Sequence, residues 1–538
     1  MPQVPCQTLS PTVERASIQQ LTRSARHVGG ATFVSRLLGF VRDVLLARYF
    51  GTAAAAEAFV IAFRIPNLFR ELVAEGAASA AFVPTLGATR ATKDDRHFSH
   101  VVNVLITTIA VLIGAGVLVT MLAAPWLVRV LAPGFLRDGA KWRLTVTLTR
   151  CLLPYLWAMS IVAVTTSALH MLQRFRTPAW NPALLNIAMI LACLVWVPHM
   201  PAAGGTIAVS LSILAAGAAQ IVLNETALWR QGLRYRPAWD WRLAELRHVG
   251  QLWMPRLFGA AVYQLGVLLD TVMASFANIV GAGGVAALYY ASRLLQFPLG
   301  LFGISMATVS LPTLAQQAAR GELAEFKTTV AVALRSVLAV MLPASVGLFL
   351  LSTPLIRVLF QRGAFDASST AMTAWALQWS AVGLVAFAFT KIFVNALYAL
   401  HDTKTPVRWA VIGLGLNLLF NVLLMRPMGI GGLALGTSLA ACVECVGLWH
   451  SLERCVGALD RRALSSTGRH VGYASALMGV WTWCAWQLGA THLAHSRLLA
   501  VSWLLATVVS SMLVFLGLAR WLNIVEIRWL LARRLPKP

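Results

Sequence analysis

Acidic residues are scarce in this chain: 20 Asp and Glu stand against 44 Lys and Arg in 538 residues, and charged residues make up only 12%. A soluble domain carries about 25% charge, so a water-soluble globule is excluded. The apolar runs are continuous rather than alternating in polarity over about 10 residues, which excludes barrel strands. Seven cysteines form no framework. Cys442 and Cys445 make a C-x-x-C, but it lies in the apolar run GLALGTSLAACVECVGLW without a second pair, which favours helix packing over zinc or redox chemistry. No G-x-x-x-x-G-K-[ST] motif is present, so ATP is not the direct energy source. The polar, basic segment before about residue 28 has no apolar core followed by a small-residue cleavage site, and is not read as a cleavable signal. The net charge of +24 comes without any Lys/Arg block interleaved with aromatics, so nucleic acid is not the expected partner.

What the chain does have is apolar length, with 58% hydrophobic residues and a mean hydropathy of +0.71. Stretches of about 20 residues or more, each long enough to span a bilayer, fall near 28–49, 55–85, 100–123, 146–170, 179–199, 203–228, 248–277, 283–315, 328–352, 371–400, 407–425, 430–450, 470–489 and 498–519. The expected fold is therefore an all-α polytopic membrane protein of about fourteen transmembrane helices. Hydropathy alone undervalues the first two, because of their charges. Basic residues cluster in alternate connectors, for example Arg174 and Arg176, Arg230 to Arg247, and Arg454 to Arg469. By the positive-inside rule both termini are expected in the cytoplasm. One connector runs against this count, with Arg129, Arg137, Lys141 and Arg143.

The chain also repeats itself. Pro84-Thr85-Leu86 recurs as Pro312-Thr313-Leu314, Arg129-Val130-Leu131 as Arg357-Val358-Leu359, Ala168-Leu169 as Ala396-Leu397, and Thr177-Pro178 as Thr405-Pro406. All four share one 228-residue register. A six-helix unit leaves both copies in the same orientation, giving two parallel halves related by an axis along the membrane normal, plus two added C-terminal helices. The expected division is a cytoplasmic segment 1–27, a first lobe 28–229 (helices 1–6), a linker 230–247, a second lobe 248–453 (helices 7–12), and 454–538 with helices 13–14 and a basic tail.

Charges inside apolar sequence point to a site. Residues 35–48, SRLLGFVRDVLLAR, carry Arg36, Arg42, Asp43 and Arg48, and the next stretch carries Glu57, Arg64, Arg70, Glu71 and Glu75. A charge at the bilayer centre costs about 2.5–3.5 kcal/mol on insertion scales, so it persists where it faces a polar interior. On an ideal helix Arg36, Gly39 and Asp43 lie within about 60° of one another, whereas Arg42 falls about 120° from Arg36. Glu57, Arg64, Glu71 and Glu75 share a stripe if Pro66 does not reset the phase. An excess of guanidinium suits phosphate, which Arg grips bidentately; structural ion pairing is the competing reading, chiefly for Glu71 and Glu75. In the second half Arg293 and Gln296 are the counterparts, with Asp270 and Lys391 as further isolated charges. Asp270, Asn417, Asn421 and Thr437 offer oxygens for a hard cation such as sodium, or else helix–helix hydrogen bonds. No metal centre or other cofactor is expected beyond a coupling ion, sodium or proton.

The runs SRLLGFVRDVLLARYFG, AFRIPNLFRELVAEGAASAAFVPTL, YYASRLLQFPLGLFGISMATVSLP and HDTKTPV resemble the MurJ/MviN lipid II flippases of the MOP superfamily, essentially over the whole chain. The resemblance implies movement of the undecaprenyl-pyrophosphate-linked peptidoglycan precursor from the cytoplasmic to the periplasmic leaflet by alternating access. It places residues that bind pyrophosphate or are needed for activity on Arg36, Arg42, Asp43, Arg70 and Arg293. It adds Glu57, where the family often has Asp, and Gln296, where the family varies between Glu and Gln. Ser292 stands where the family often has Asp. The last two helices would form a groove for the polyprenyl tail. The implied partners are lipid II, membrane lipids and the cell-wall synthesis or division machinery, around a monomer. Competing readings are another polyprenyl-linked oligosaccharide flippase, a multidrug exporter of the same superfamily, or a polyprenyl-dependent membrane enzyme. The last would need acids on a large external loop, where only Asp138 and Asp366 stand.

Overall fold

The computed structural model describes residues 11–70, 77–490, 497–524 and 526, with side chains over 29–68, 81–253, 264–489, 498–524 and 526. Among these residues every regular element is helical, as lipid requires of a chain whose backbone must satisfy itself. The first repeat contains α1 (Pro11–Phe50), α2 (Ala54–Arg70), α3 (Ala77–Thr92), α4 (Asp95–Leu122), α5 (Ala124–Leu131), α6 (Gly139–Met171), α7 (Arg176–Ala179), α8 (Asn181–Val195) and α9 (Ala202–Trp229). The second contains α10 (Ala244–Ala274), α11 (Ala277–Val280), α12 (Gly284–Pro298), α13 (Ile304–Arg320), α14 (Leu323–Leu350), α15 (Ser352–Phe360), α16 (Ala367–Val382), α17 (Leu384–Ala399), α18 (Lys404–Met428) and α19 (Ile430–Val456). Two more, α20 (Arg461–Ala490) and α21 (Arg497–Trp521), follow.

The repeat register extends well beyond the four sequence matches. Helices start at Asp95, Ala124, Gly139, Arg176 and Ala202, and again 228 residues later at Leu323, Ser352, Ala367, Lys404 and Ile430. One capping device is repeated too. Asp138 Oδ1 accepts the N–H of Ala140 and Lys141 at 3.1 and 3.0 Å, and its equivalent Asp366 accepts that of Ser369 at 2.8 Å. Each carboxylate takes up orphan N–H groups at a helix start. The N–H and hydroxyl of Ser369 hold the Asp366 carboxyl below its ordinary value. The two acids weighed for an enzyme reading thus both act as helix caps.

Nine helices among the described residues, or ten if α16 and α17, bent by 47°, form one span, are long and apolar enough to cross a bilayer. Neither α1, with its charges, nor the 17-residue α2 is among them.

The chain forms two compact units. The first comprises Met1–Tyr49, Ala62–Val128 and Arg143–Ala260. Its core packs Phe82, Leu86, Phe98, Leu105, Val164 and Leu169 from α3, α4 and α6. The second comprises Phe50–Ile61, Arg129–Trp142 and Ala261–Pro538, so two segments of the first repeat pack with the second. Within it, Tyr290 of α12 lies against Phe360 and Phe365, with ring centroids 5.4 and 5.5 Å away. The C-terminal pair joins this unit through Val471, Ala474 and Met478 of α20 and Phe515 of α21, packed with Ala339 of α14. An ion pair reinforces that seam: half-buried Arg335 of α14 meets buried Glu526, which also accepts from Thr467 Oγ1 at 3.3 Å.

Candidate functional site

The first unit holds the arginine-rich helix. Arg36 is exposed on α1, whereas Arg42 and Asp43 are buried. Arg42 Nε and Nη2 donate to Asp43 Oδ1 at 2.9 and 2.8 Å, and Nη1 donates to Asn186 Oδ1 of α8 at 2.8 Å. Asn186 in turn donates to the Ser35 carbonyl at 2.9 Å. It lies beside Gly39, where a Cβ would stand 3.5 Å from the Asn186 amide nitrogen, an ordinary contact distance. The divergence of Arg42 from Arg36 expected from the helical wheel therefore has a cause, since Arg42 turns toward α8. Arg42 is ion-paired to Asp43, the acid carried by residues 35–48 beside three arginines. Asn186 was not singled out from the sequence; a polar amide in the run NPALLNIAMILACLV was the available signal. Arg70 ends α2, but its side chain lies outside the described residues, as do Glu71 and Glu75 altogether.

The second unit holds the remaining candidates. Arg293 of α12 is half-buried, its guanidinium 4.7 Å from the Tyr289 ring centroid and its Nη2 3.2 Å from the Tyr289 hydroxyl. Cation–π contact and hydrogen bond together fix the side chain along one helix face. Gln296 is exposed one turn later, and Ser292 donates to the Tyr289 carbonyl at 2.8 Å. Glu57 is buried at the start of α2, bonded to Lys141 through Oε2, and accepting the Val285 N–H on Oε1 at 3.0 Å. Both its oxygens are engaged by protein. Lys141 was noticed in the sequence only as an exception to the charge count.

The four oxygen-bearing residues expected to gather do so. Thr437 Oγ1 lies 3.2 and 3.1 Å from the two Asp270 oxygens, and Asn421 Nδ2 donates to Asp270 Oδ1 at 2.9 Å. Asn417 donates to Thr437 at 3.1 Å and accepts from Asn421 at 2.7 Å. Close approach of α19 to α18 brings them together. Gly432 and Gly436 form a small-xxx-small pair, where a Cβ would lie 2.0 Å from the Leu424 carbonyl oxygen or 2.3 Å from Asn421 Oδ1. Asn421 Oδ1 is buried without a hydrogen-bond partner. A carboxylate with amide and hydroxyl oxygens is the donor chemistry of a hard cation. Among the described residues no group of three or more His, Cys, Asp or Glu is placed to hold a metal.

An apolar groove of about 700 Å³ opens between α14, α16 and α20, lined by Val346, Phe349, Leu350, Val382, Val480 and Trp483. It lies in the region where the sequence placed a tail-binding role for the C-terminal helices.

Comparison with known proteins agrees with this architecture. The chain is 32% identical over 503 residues to the "Probable lipid II flippase MurJ" of Vibrio cholerae, covering 90% of this chain and 94% of that one. It is 34% identical over 436 residues to the protein of the same description from Haemophilus influenzae, covering 79% and 84%. Among solved structures it resembles a lipid II flippase MurJ in an inward closed conformation, with TM-score 0.76, 24% identity, and coverage of 94% and 99%. An inward-facing multidrug resistance MATE family transporter of the MOP superfamily gives TM-score 0.68 at 13% identity, covering 80% and 96%. Those structural likenesses show a shared fold. Residues 46–519 match the family described as lipid II flippase MurJ, and the chain belongs to that family.

Proposed function

We propose that this chain carries lipid II from the cytoplasmic to the external leaflet of the inner membrane by alternating access of its two parallel repeats. The observation that carries the reading is the family match across residues 46–519, which takes in the first repeat from the end of α1, the whole second repeat, and most of α21. The chemistry is consistent with it. Arg36, Arg42, Arg70 and Arg293 supply guanidinium groups suited to a pyrophosphate, with Asp43 and Asn186 orienting Arg42. The apolar groove beside α20 suits a polyprenyl chain. An inside-negative potential favours outward movement of an anionic head group by about 2.3 kcal/mol per charge per 100 mV.

Asp270, Asn417, Asn421 and Thr437 are read as a sodium site whose occupancy couples to the cycle. Sodium would satisfy the buried Asn421 oxygen and offset the Asp270 charge. The positive-inside pattern supports cytoplasmic termini.

Complementation tests the main reading. Expression in a bacterium depleted of its own flippase is expected to restore growth and external exposure of lipid II. Normal membrane levels without rescue would overturn it.

A further inference from the structure

Lys141 belongs to the connector whose positive charge runs against the topology, yet its side chain is only 8% exposed. Its Nζ bonds the Glu57 carboxylate and lies 3.8 Å from the Phe135 ring centroid. The other carboxylate oxygen accepts the Val285 N–H in the first turn of α12, where open N–H groups and the helix dipole favour an anion. Glu57 and Val285 are 228 residues apart, so the carboxylate at the start of α2 caps the helix that is the repeat equivalent of α2.

Neighbouring bonds between the two repeats are also polar. Thr52 Oγ1 meets Ser369 Oγ at 2.8 Å, and Ser275 Oγ accepts the Gly134 N–H at 3.1 Å. Gly51, at φ +54°, brings the chain so near the 364 carbonyl that a Cβ would lie 2.2 Å from its oxygen. Arg137, Asp138 and Asp366 line, with the pair itself, a cavity of about 460 Å³. Polar contacts of this kind can be exchanged for water, whereas separating two buried charges is costly.

Lys141 and Glu57 both come from the first repeat, while the N–H that the Glu57 carboxylate accepts belongs to the second. We propose that Lys141 and Glu57 form a preassembled, neutral clasp that grips the N-terminus of α12 in one half of the transport cycle and leaves it as a unit in the other. Lys141 is then a positioning residue: it carries the counter-charge of Glu57 through the cycle, so opening breaks hydrogen bonds to α12 and never parts the ion pair. The proposal rests on the alternating-access reading above, and it gives the misplaced positive charge of this connector a purpose.

Ser369 is buried beside the clasp, so labelling of a Ser369→Cys protein by a membrane-impermeant maleimide reports the open population. The labelling is read in intact cells and in inverted vesicles, against the protein lacking that cysteine. In this background Lys141→Met and Glu57→Gln are each expected to raise the labelling rate by about tenfold or more, as loss of a buried partner shifts the closed state. The double variant should label no faster than the faster single one, because the two act as one unit. Lys141→Arg should return the rate toward that of the parent.

Parent-like labelling in both single variants overturns the clasp. So does a double variant whose rate is the product of the two single effects. If Lys141→Met does not accumulate in the membrane, Glu57→Gln with Lys141→Arg decides alone, by the same criterion. Labelling needs no cargo, so a failure to complement for lipid II would overturn the proposed function while leaving this measurement intact.

Discussion

The two repeats share their helix starts but not their shape. Gly139–Met171 in the first repeat is one continuous helix, α6, although it contains Pro154. The equivalent stretch of the second repeat is broken into α16 and α17, with a 47° bend at Gly383. The position equivalent to Gly383 is Tyr155, which is buried. At Gly383 a Cβ would sit 2.8 Å from Ser438 Oγ and 2.9 Å from the Phe387 ring, so α19 packs where a side chain would stand. The polar chemistry differs in the same way: the first repeat holds an arginine–aspartate pair on α1, the second an oxygen-rich cluster on α10, α18 and α19. Duplication preserved where helices begin, and side-chain substitution gave each copy its own polar chemistry.

Breaking the first copy should have the largest effect. Arg42→Ala removes the guanidinium bonded to the buried Asp43 carboxylate, and removing one member of a buried pair costs about 3–5 kcal/mol. Complementation is expected to fail, with membrane levels on immunoblot reduced as well. Arg42→Ala combined with Asp43→Ala should recover the level without recovering transport. If the double variant complements fully, the arginine's task was structural only.

Next comes the second copy's cluster. Asp270→Ala should abolish any dependence of transport on sodium, lowering the rate at saturating sodium by about tenfold, the effect of about 1.4 kcal/mol. A parent protein equally active with and without sodium would return the cluster to helix packing.

The bend itself gives a smaller effect. Gly383→Ala should lower thermal stability in detergent by about 1–3 kcal/mol, the usual cost of overpacking. Tyr155→Phe, at the equivalent position in the straight helix, should be nearly neutral. A destabilised Tyr155→Phe beside an unaffected Gly383→Ala would reverse the comparison.

The helix caps give the smallest effect. The carboxyl of Asp366 is held below its ordinary value by Ser369. Its contribution is therefore complete above the unfolded value of about 3.9 and fades as pH falls through the lower folded one. Asp366→Asn should show a shallower loss of stability below about pH 4 than the parent; identical acid profiles would remove the cap from consideration.

Much of the fold was legible. The 228-residue register, read from four short matches, recurs in helix boundaries because identical patterns of apolar length and helix-breaking residues set the same stops. The oxygen cluster could also be read from the sequence: polar residues in apolar runs must find one another, and Asp270, Asn417, Asn421 and Thr437 do. Asn186 escaped notice because a single amide announces no partner. Lys141 escaped because a connector lysine ordinarily faces water, and nothing local revealed that a carboxylate 84 residues earlier would bury it.

The sequence by itself determined that this is a helical membrane protein carrying two copies in one 228-residue register, because apolar length and period are local properties that every residue in a span reports. Only the tertiary structure decided which charges are paired. Arg42 is held by Asp43 and Asn186, and Glu57 by Lys141 and the start of α12. Those bonds join residues from 1 to 228 positions apart, and in a low-dielectric interior the partner that arrives through folding, more than the neighbour in the chain, settles what a charge can do.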